Sequence, residues 1–291
     1  MRHLVRHADT ILSFQGGLGN QLFEWAFAHS LTAAGHHVQY DQVRCRGERP
    51  FELAPLVPRH LLLPRPVGLA LVGLERTGRL GLVGLRPVHE PAPAHPDSVR
   101  QDVLSGRTYV RGYFQSPSYF RGHEESVRAR VTGLLTSMLT ARGRELLDDL
   151  TEDSSSVAVH IRRGDYTTAT NAQVHGVLSR HYYEEALELV QATGHHRRVW
   201  FSDDLVWVRE NLARPGDLLC PPDVTTSAGG EIRLMAACSS RIIANSSFSW
   251  WGGWLGDPST EEQPVVAPAT WFASRPDDRA TDLVPGSWQR L

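Results

Sequence analysis

Residues 10–24, TILSFQGGLGNQLFE, run from an apolar stretch through a glycine-rich turn into a helical pattern. That passage decides the fold class. A strand over 10–14, a helix over 20–34 and a second strand over 36–41, after Gly35, make a βαβ unit. A turn of this kind commonly opens a dinucleotide site, so the glycines have to be counted. Aligned on Gly17 and Gly19, the fingerprint needs its third glycine at position 22, where Leu22 stands. Helix and strand cannot approach closely over a leucine, so the nicotinamide reading fails despite Asp41 at the end of the next strand. Gly17 and Gly19 then serve to bring the backbone close to some other ligand. Asn20 either meets that ligand or caps the helix.

Composition narrows the chemistry further. A chain of 291 residues has room for two domains, and a net charge of −2 speaks against a nucleic-acid surface. All thirty basic residues are arginine. Without lysine there is no Schiff-base chemistry and no GxxxxGK[ST] phosphate loop, and any phosphate held by a basic side chain is held by arginine. The three cysteines, Cys45, Cys220 and Cys238, are far apart and lack CxxC spacing, so neither a disulfide framework nor a zinc site is expected. MRHLVRHADT has no apolar core of a secretory signal, and the expected location is the cytoplasm. Residues 61–85 are leucine-rich but interrupted by Pro64, Arg65, Glu75, Arg76 and Arg79. They read as an amphipathic helix packed on its own domain, with peripheral contact at the inner face of the membrane as the alternative.

Further along, TYVRGYF (108–114) reads as a strand, and two helical patterns cover 117–149. Residues 50–100 do not divide into elements. The short polar TEDSSS (151–156) is the expected boundary between an N-terminal domain, 1–150, and a C-terminal domain, 151–291. VAVHI (157–161), RVWFS (198–202), RIIAN (241–245) and PVVAP (264–268) read as buried parallel strands, with helices between them. The expected fold is α/β, with two doubly wound Rossmann-like domains facing across a cleft. The C-terminal tail is expected to pack back on the first domain.

The motifs fall at strand ends, where open α/β sheets bind ligands. In HIRRGDY (160–166), adjacent arginines in extended chain point to opposite sides. One of Arg162 and Arg163 then faces a phosphate while the other is held by a carboxylate, with Asp165 nearest. In FSDD (201–204), Ser202 and the paired aspartates Asp203 and Asp204 cap the next helix or meet a ribose; no third ligand suggests a metal. In NSSFSWWGGWL (245–255), Ser246 and Ser247 sit where caps sit, and the first-turn amides suit an anion. Trp250, Trp251 and Trp254 have the spacing of core packing. Glu231, at the start of EIRLMAAC, either stabilises its helix or accepts the paired N–H donors of guanine.

Together, GGLGNQLFEWAFAHSL, GYFQSPSYF, HIRRGDY, HGVLSRHYYEEAL, FSDDLVWVRENL, EIRLMAAC, IIANSSFSWWGGWL, VVAPATWF and VPGSW resemble, in order, the α-1,2-fucosyltransferases of glycosyltransferase family 11. The resemblance is weak only over 42–107. It implies a GT-B-type glycosyltransferase that moves L-fucose from GDP-fucose to O2 of a terminal galactose, with inversion, without a metal and without a cofactor. It places His160 and Glu231 by the guanine, Arg162 on the diphosphate, and Ser247 with Phe248 beside the phosphate at the helix start. Gly19 and Asn20 would close over the sugar and diphosphate from the facing domain. Many relatives have aspartate at the position of Glu231, which keeps the carboxylate. The chain resembles the soluble bacterial members, without the anchor of animal ones. Its partners are then GDP-fucose and a galactose-terminated glycan acceptor.

Charge building on a departing GDP falls to arginine, backbone amides and hydroxyls. Asp165 is the first candidate base because it shares the arginine loop. Its rival role is to fix an arginine, and late proton transfer through water needs no base at all. Two further readings stay open: the same fold with another sugar nucleotide or linkage, and a catalytically silent glycan-binding relative.

Overall fold

The computed structural model describes residues 8–91, 95–164, 176–256, 260–274 and 282–291. The chain divides into two compact units, Met1–Val131 and Thr132–Leu291. The first is built on a four-stranded parallel sheet in the order β2-β1-β4-β3. Its strands are β1 (Thr10–Ser13), β2 (Val38–Asp41), β3 (Arg86–His89) and β4 (Thr108–Arg111). All four residues of β1 are buried, because β2 and β4 flank it. Parallel neighbours need crossovers, which α1 (Leu18–Ala33), α2 (Arg65–Arg76) and α3 (Pro96–Leu104) supply. Leu22, where a dinucleotide fold would need glycine, is fully buried in α1. Asp41 is buried too, and its carboxylate accepts from the Tyr109 hydroxyl at 2.8 Å and the Val43 amide at 3.0 Å. Structural partners therefore occupy the one acid that a ribose would have needed.

The stretch that resisted division contains α2, β3 and α3. The reason is local. β3 is an edge strand with a proline, tolerated only there, and one buried residue, Val88. Prolines in the first turn start α2 and α3. Leu71 and Leu80 of the leucine-rich segment join Ile11 and Tyr109 in the core, so α2 does pack on its own unit. Among the described residues no helix is long and apolar enough to cross a membrane.

From α4 (Glu124–Ser137) the chain enters the second unit, whose six parallel strands run in the order β10-β9-β8-β5-β6-β7. They are β5 (Ser156–Ile161), β6 (Arg197–Ser202), β7 (Leu218–Leu219), β8 (Ser240–Ile242), β9 (Val265–Ala267) and β10 (Gln289–Arg290). From β5 the chain winds one way to β7, then returns to the other side for β8 to β10. This is the doubly wound Rossmann order, with its reversal between β5 and β8. The helices are α5 (Ala141–Glu152), α6 (Arg180–Ala192), α7 (Leu205–Asn211), α8 (Gly229–Ala237) and α9 (Ser247–Leu255). The two-domain α/β plan of a GT-B-type enzyme is thus present in its units. The C-terminus completes the second sheet, as β10 pairs with β9, where packing on the first domain was expected.

The tryptophans of α9 are core, as their spacing suggests: Trp250 and Trp251 are fully buried. Gly252 lets α9 lie against α8, since a Cβ there would fall 2.6 Å from Met235 Cε.

The division between units lies before α5, not at TEDSSS. Thr140 caps α5 and its amide donates to Val224 O at 3.0 Å. A Cβ on Gly143 would lie 1.9 Å from the same carbonyl, and Leu147 and Leu150 share a core with Leu234 and Met235. TEDSSS is a turn between layers of one unit, and short polar turns read alike in both settings. Leu150→Ala should therefore cost about 2–5 kcal/mol in urea unfolding. A loss under about 0.5 kcal/mol, typical of a surface change, would contradict this placement.

Candidate active site

The reversal of strand order leaves a crevice at the carboxyl ends of β5 and β8, the place where such sheets bind ligands. HIRRG leaves β5 there and NSSFS leaves β8. In the register of the sheet Ile161 stands opposite Ser202 of β6, so Arg162 and Asp203 emerge side by side. Arg162 Nη1 lies 2.8 Å from Asp203 Oδ2. The other oxygen of Asp203 accepts the Arg163 backbone N–H at 2.9 Å. Gly164 completes the loop, and a Cβ on it would come within 2.7 Å of Asp203 Oδ2. One carboxylate thus shapes three consecutive residues.

Each arginine meets a carboxylate of FSDD. Arg163 lies over the Trp207 ring at 4.1 Å and pairs with Asp204 at 3.4 Å, which commits it to α7 and away from a ligand. Asp204 also caps α7, accepting from Trp207 N at 3.0 Å. Arg162 keeps 30% of its side chain exposed. Among the described residues, the carboxylate beside it is that of Asp203. Asp165 lies outside the described residues.

Around this pair the remaining groups assemble. His160 is 4% exposed, with its ring 5.4 Å from that of Phe248 at the start of α9. Burial, and then the Arg162 charge, push it down to about 3, so the imidazole is neutral. Its Nδ1 is buried without a hydrogen-bond partner. Ser246 occupies the N-cap of α9, but no side chain caps this helix, which corrects the capping role expected of Ser246 and Ser247. The first-turn amides are left as an anion cradle, the positive end of the helix dipole. Glu231 lies in the first turn of α8; burial, and then the charge of Asp203, push its carboxyl up to about 7.

In the first unit, Gly17 is the N-cap of α1 and Gly19 and Asn20 lie in its first turn, so Asn20 is no cap. The Asn20 amide oxygen accepts from Gln115 Nε2 at 2.7 Å. The glycine that the turn needs most is Gly16, at φ 78°, where a Cβ would lie 2.6 Å from Asn20 Nδ2. Gln21 ties the turn to the next loop, donating to Gly16 O at 3.0 Å and Pro50 O at 2.8 Å and accepting from Glu52 N at 3.0 Å. Gln21, Glu24, Glu90 and Gln115 escaped the sequence reading. Only Glu24, a lone charge inside the apolar LFEWAF, carried a visible signal.

The site predicts a pH-dependent stability. A carboxyl whose pKa is raised by folding favours the folded state below its ordinary value, and this advantage is lost as pH rises through about 7 for Glu231. In urea unfolding between pH 5 and pH 8, the wild type should lose more stability than Glu231→Gln. Equal losses, or a larger one in the variant, would contradict the burial of this carboxyl.

Comparison with known proteins bears on the same segments. The profile of Glycosyl transferase family 11 matches residues 102–288. The chain is 36% identical over 143 residues to the O-antigen biosynthesis glycosyltransferase WbnK of Escherichia coli, covering 48% of this chain and 46% of that one. It is 30% identical to an alpha-1,2-colitosyltransferase of Escherichia coli over 65% of this chain and 64% of the relative. With the galactoside alpha-(1,2)-fucosyltransferase 2 of Oryctolagus cuniculus it shares 31% identity over 87% of this chain and 68% of that protein. The two bacterial matches thus span less than two thirds of the relatives' own length. Among solved structures, Escherichia coli ADP-heptose lps heptosyltransferase II aligns over 97% of this chain and 90% of its own, at 14% identity and a TM-score of 0.46. The family match takes in the loops that leave β5 and β8, and the chain belongs to glycosyl transferase family 11.

Proposed function

We propose that the protein transfers L-fucose from GDP-fucose to O2 of a terminal β-galactoside, with inversion and without a metal or cofactor. The observation that carries this reading is the pairing of a carboxylate-held Arg162 with the uncapped N-terminus of α9 at the switch point. An arginine fork and first-turn amides are complementary to a diphosphate. The ionised Glu231 carboxylate accepts two N–H donors from guanine, and His160 offers a buried ring nitrogen that lacks a partner. The α-1,2 linkage follows the names of the colitosyl and fucosyl relatives, and fucose follows the Oryctolagus cuniculus relative, which matches most of the chain.

In this mechanism the acceptor O2 attacks the anomeric carbon from the face opposite the diphosphate. The bond from that carbon to the diphosphate oxygen breaks, and the electron pair leaves with GDP. Arg162 and the α9 amides meet the charge as it develops, where such donors act most strongly. Asp165 is the proposed proton acceptor because it shares the arginine loop. Asn20 is proposed to meet the donor sugar.

Incubation with GDP-fucose and galactose-terminated oligosaccharides in EDTA, with linkage analysis, should give an α-1,2-fucosylated product. Consumption of GDP-mannose or UDP-galactose with GDP-fucose left intact would overturn the reading of the donor. Activity lost in EDTA and restored by Mn²⁺ would overturn the metal-free mechanism. Arg162→Ala should lower kcat by about 10²-fold or more. Gly164→Ala, which crowds Asp203, should weaken GDP binding while leaving the melting temperature nearly unchanged. Wild-type behaviour of both variants would contradict the roles given to Arg162 and its loop.

A further inference from the structure

The first unit has ligand-facing strand ends of its own. β1 and β4 lie side by side at its centre, and Tyr113 follows β4. Tyr113 is 43% exposed, whereas Phe27, Phe114 and Tyr119 pack together in the core. The glycine turn touches the ring, since a Cβ on Gly16 would lie 3.2 Å from Tyr113 Cε1.

The backbone is held in place to present this ring. Phe114 sits at φ 49°, a conformation that bulky residues rarely adopt. Glu90, just beyond β3, secures it: one carboxylate oxygen accepts the Tyr113 N–H at 2.7 Å and the Phe114 N–H at 2.8 Å. Gly112 permits the approach, because a Cβ there would fall 2.4 Å from Glu90 Cβ. Strain maintained by its surroundings concentrates where a side chain has to be aimed.

We propose that Tyr113 is the stacking face for a pyranose ring of the acceptor glycan. A sugar offers an apolar C–H face and a rim of hydroxyls. The exposed ring suits the first, and the amide of Gln115, the second residue after Tyr113, suits the second. Glu24, which accepts the Gln15 N–H with both oxygens, and Glu90 lie near the same turn, and burial raises both carboxyls. In neither protonation state do they attract a phosphate. Arg49 approaches the turn on its Gly17 side, 3.8 Å from where a Cβ would lie. A donor sugar is anchored through its nucleotide, whereas a neutral acceptor has no charged anchor and depends on such a face. The assignment rests on the glycosyl-transfer reading above.

Steady-state kinetics with GDP-fucose and N-acetyllactosamine test it. Tyr113→Ala should raise KM for the disaccharide about tenfold and leave KM for GDP-fucose within about twofold. Tyr113→Phe should keep both near wild type, since the ring and not the hydroxyl is used. Saturation-transfer NMR with N-acetyllactosamine gives a readout independent of turnover: galactose C–H signals should appear with wild type and fade with Tyr113→Ala. Melting curves check that the variant is folded. An unchanged acceptor KM in Tyr113→Ala, or a rise confined to GDP-fucose, would overturn the proposal. If wild type transfers no fucose, the functional reading fails, and the NMR comparison still decides whether Tyr113 stacks on a galactoside.

Discussion

The contact between Arg162 and Asp203 is the constraint on which the site depends. Its 2.8 Å separation follows from the sheet register, which sends the two residues out of neighbouring strands together. A partly exposed ion pair adds little to stability, so its consequence is orientation. Asp203 also accepts from the Arg163 amide and requires glycine at 164, so one carboxylate sets the backbone over 162–164. The same negative charge helps to hold Glu231 near a neutral pKa, and Arg162 adds to the burial that keeps His160 neutral. Arg162, Asp203, His160 and Glu231 are thus electrostatically linked within one unit.

Both units follow the same logic at their strand ends. In each, a glycine stands where a side chain would collide with a group that a carboxylate or amide must hold: Gly164 against Asp203, Gly112 against Glu90, Gly16 against Asn20. These glycines look alike in a sequence. The purposes of Gly164 and Gly112 emerge only when the partner is known, because Asp203 and Glu90 are remote from them along the chain.

Much of the fold was legible for a physical reason. Strands buried on both faces, such as VAVHI, have no alternative to an apolar run, and α6 carries clear periodicity. The edge strand RPVH gave no such signal, and a polar turn between α5 and β5 read as a domain boundary. At the site, residue types and strand ends were readable, whereas pairings were not. Asp203, forty residues on from Arg163, is beside the arginines in space. Glu90 and Tyr113 were invisible for the same reason: their roles depend on β3 and β4 being neighbours.

The central claim is that the switch point of the second sheet is a guanine nucleotide diphosphate site. Calorimetric titration of the protein with GDP, ADP and UDP, in the absence of acceptor, tests it most directly. GDP should bind at least about tenfold more tightly than ADP or UDP, because only guanine presents two donors to the Glu231 carboxylate. Equal affinity for the three nucleotides, or no binding of GDP, would contradict the account.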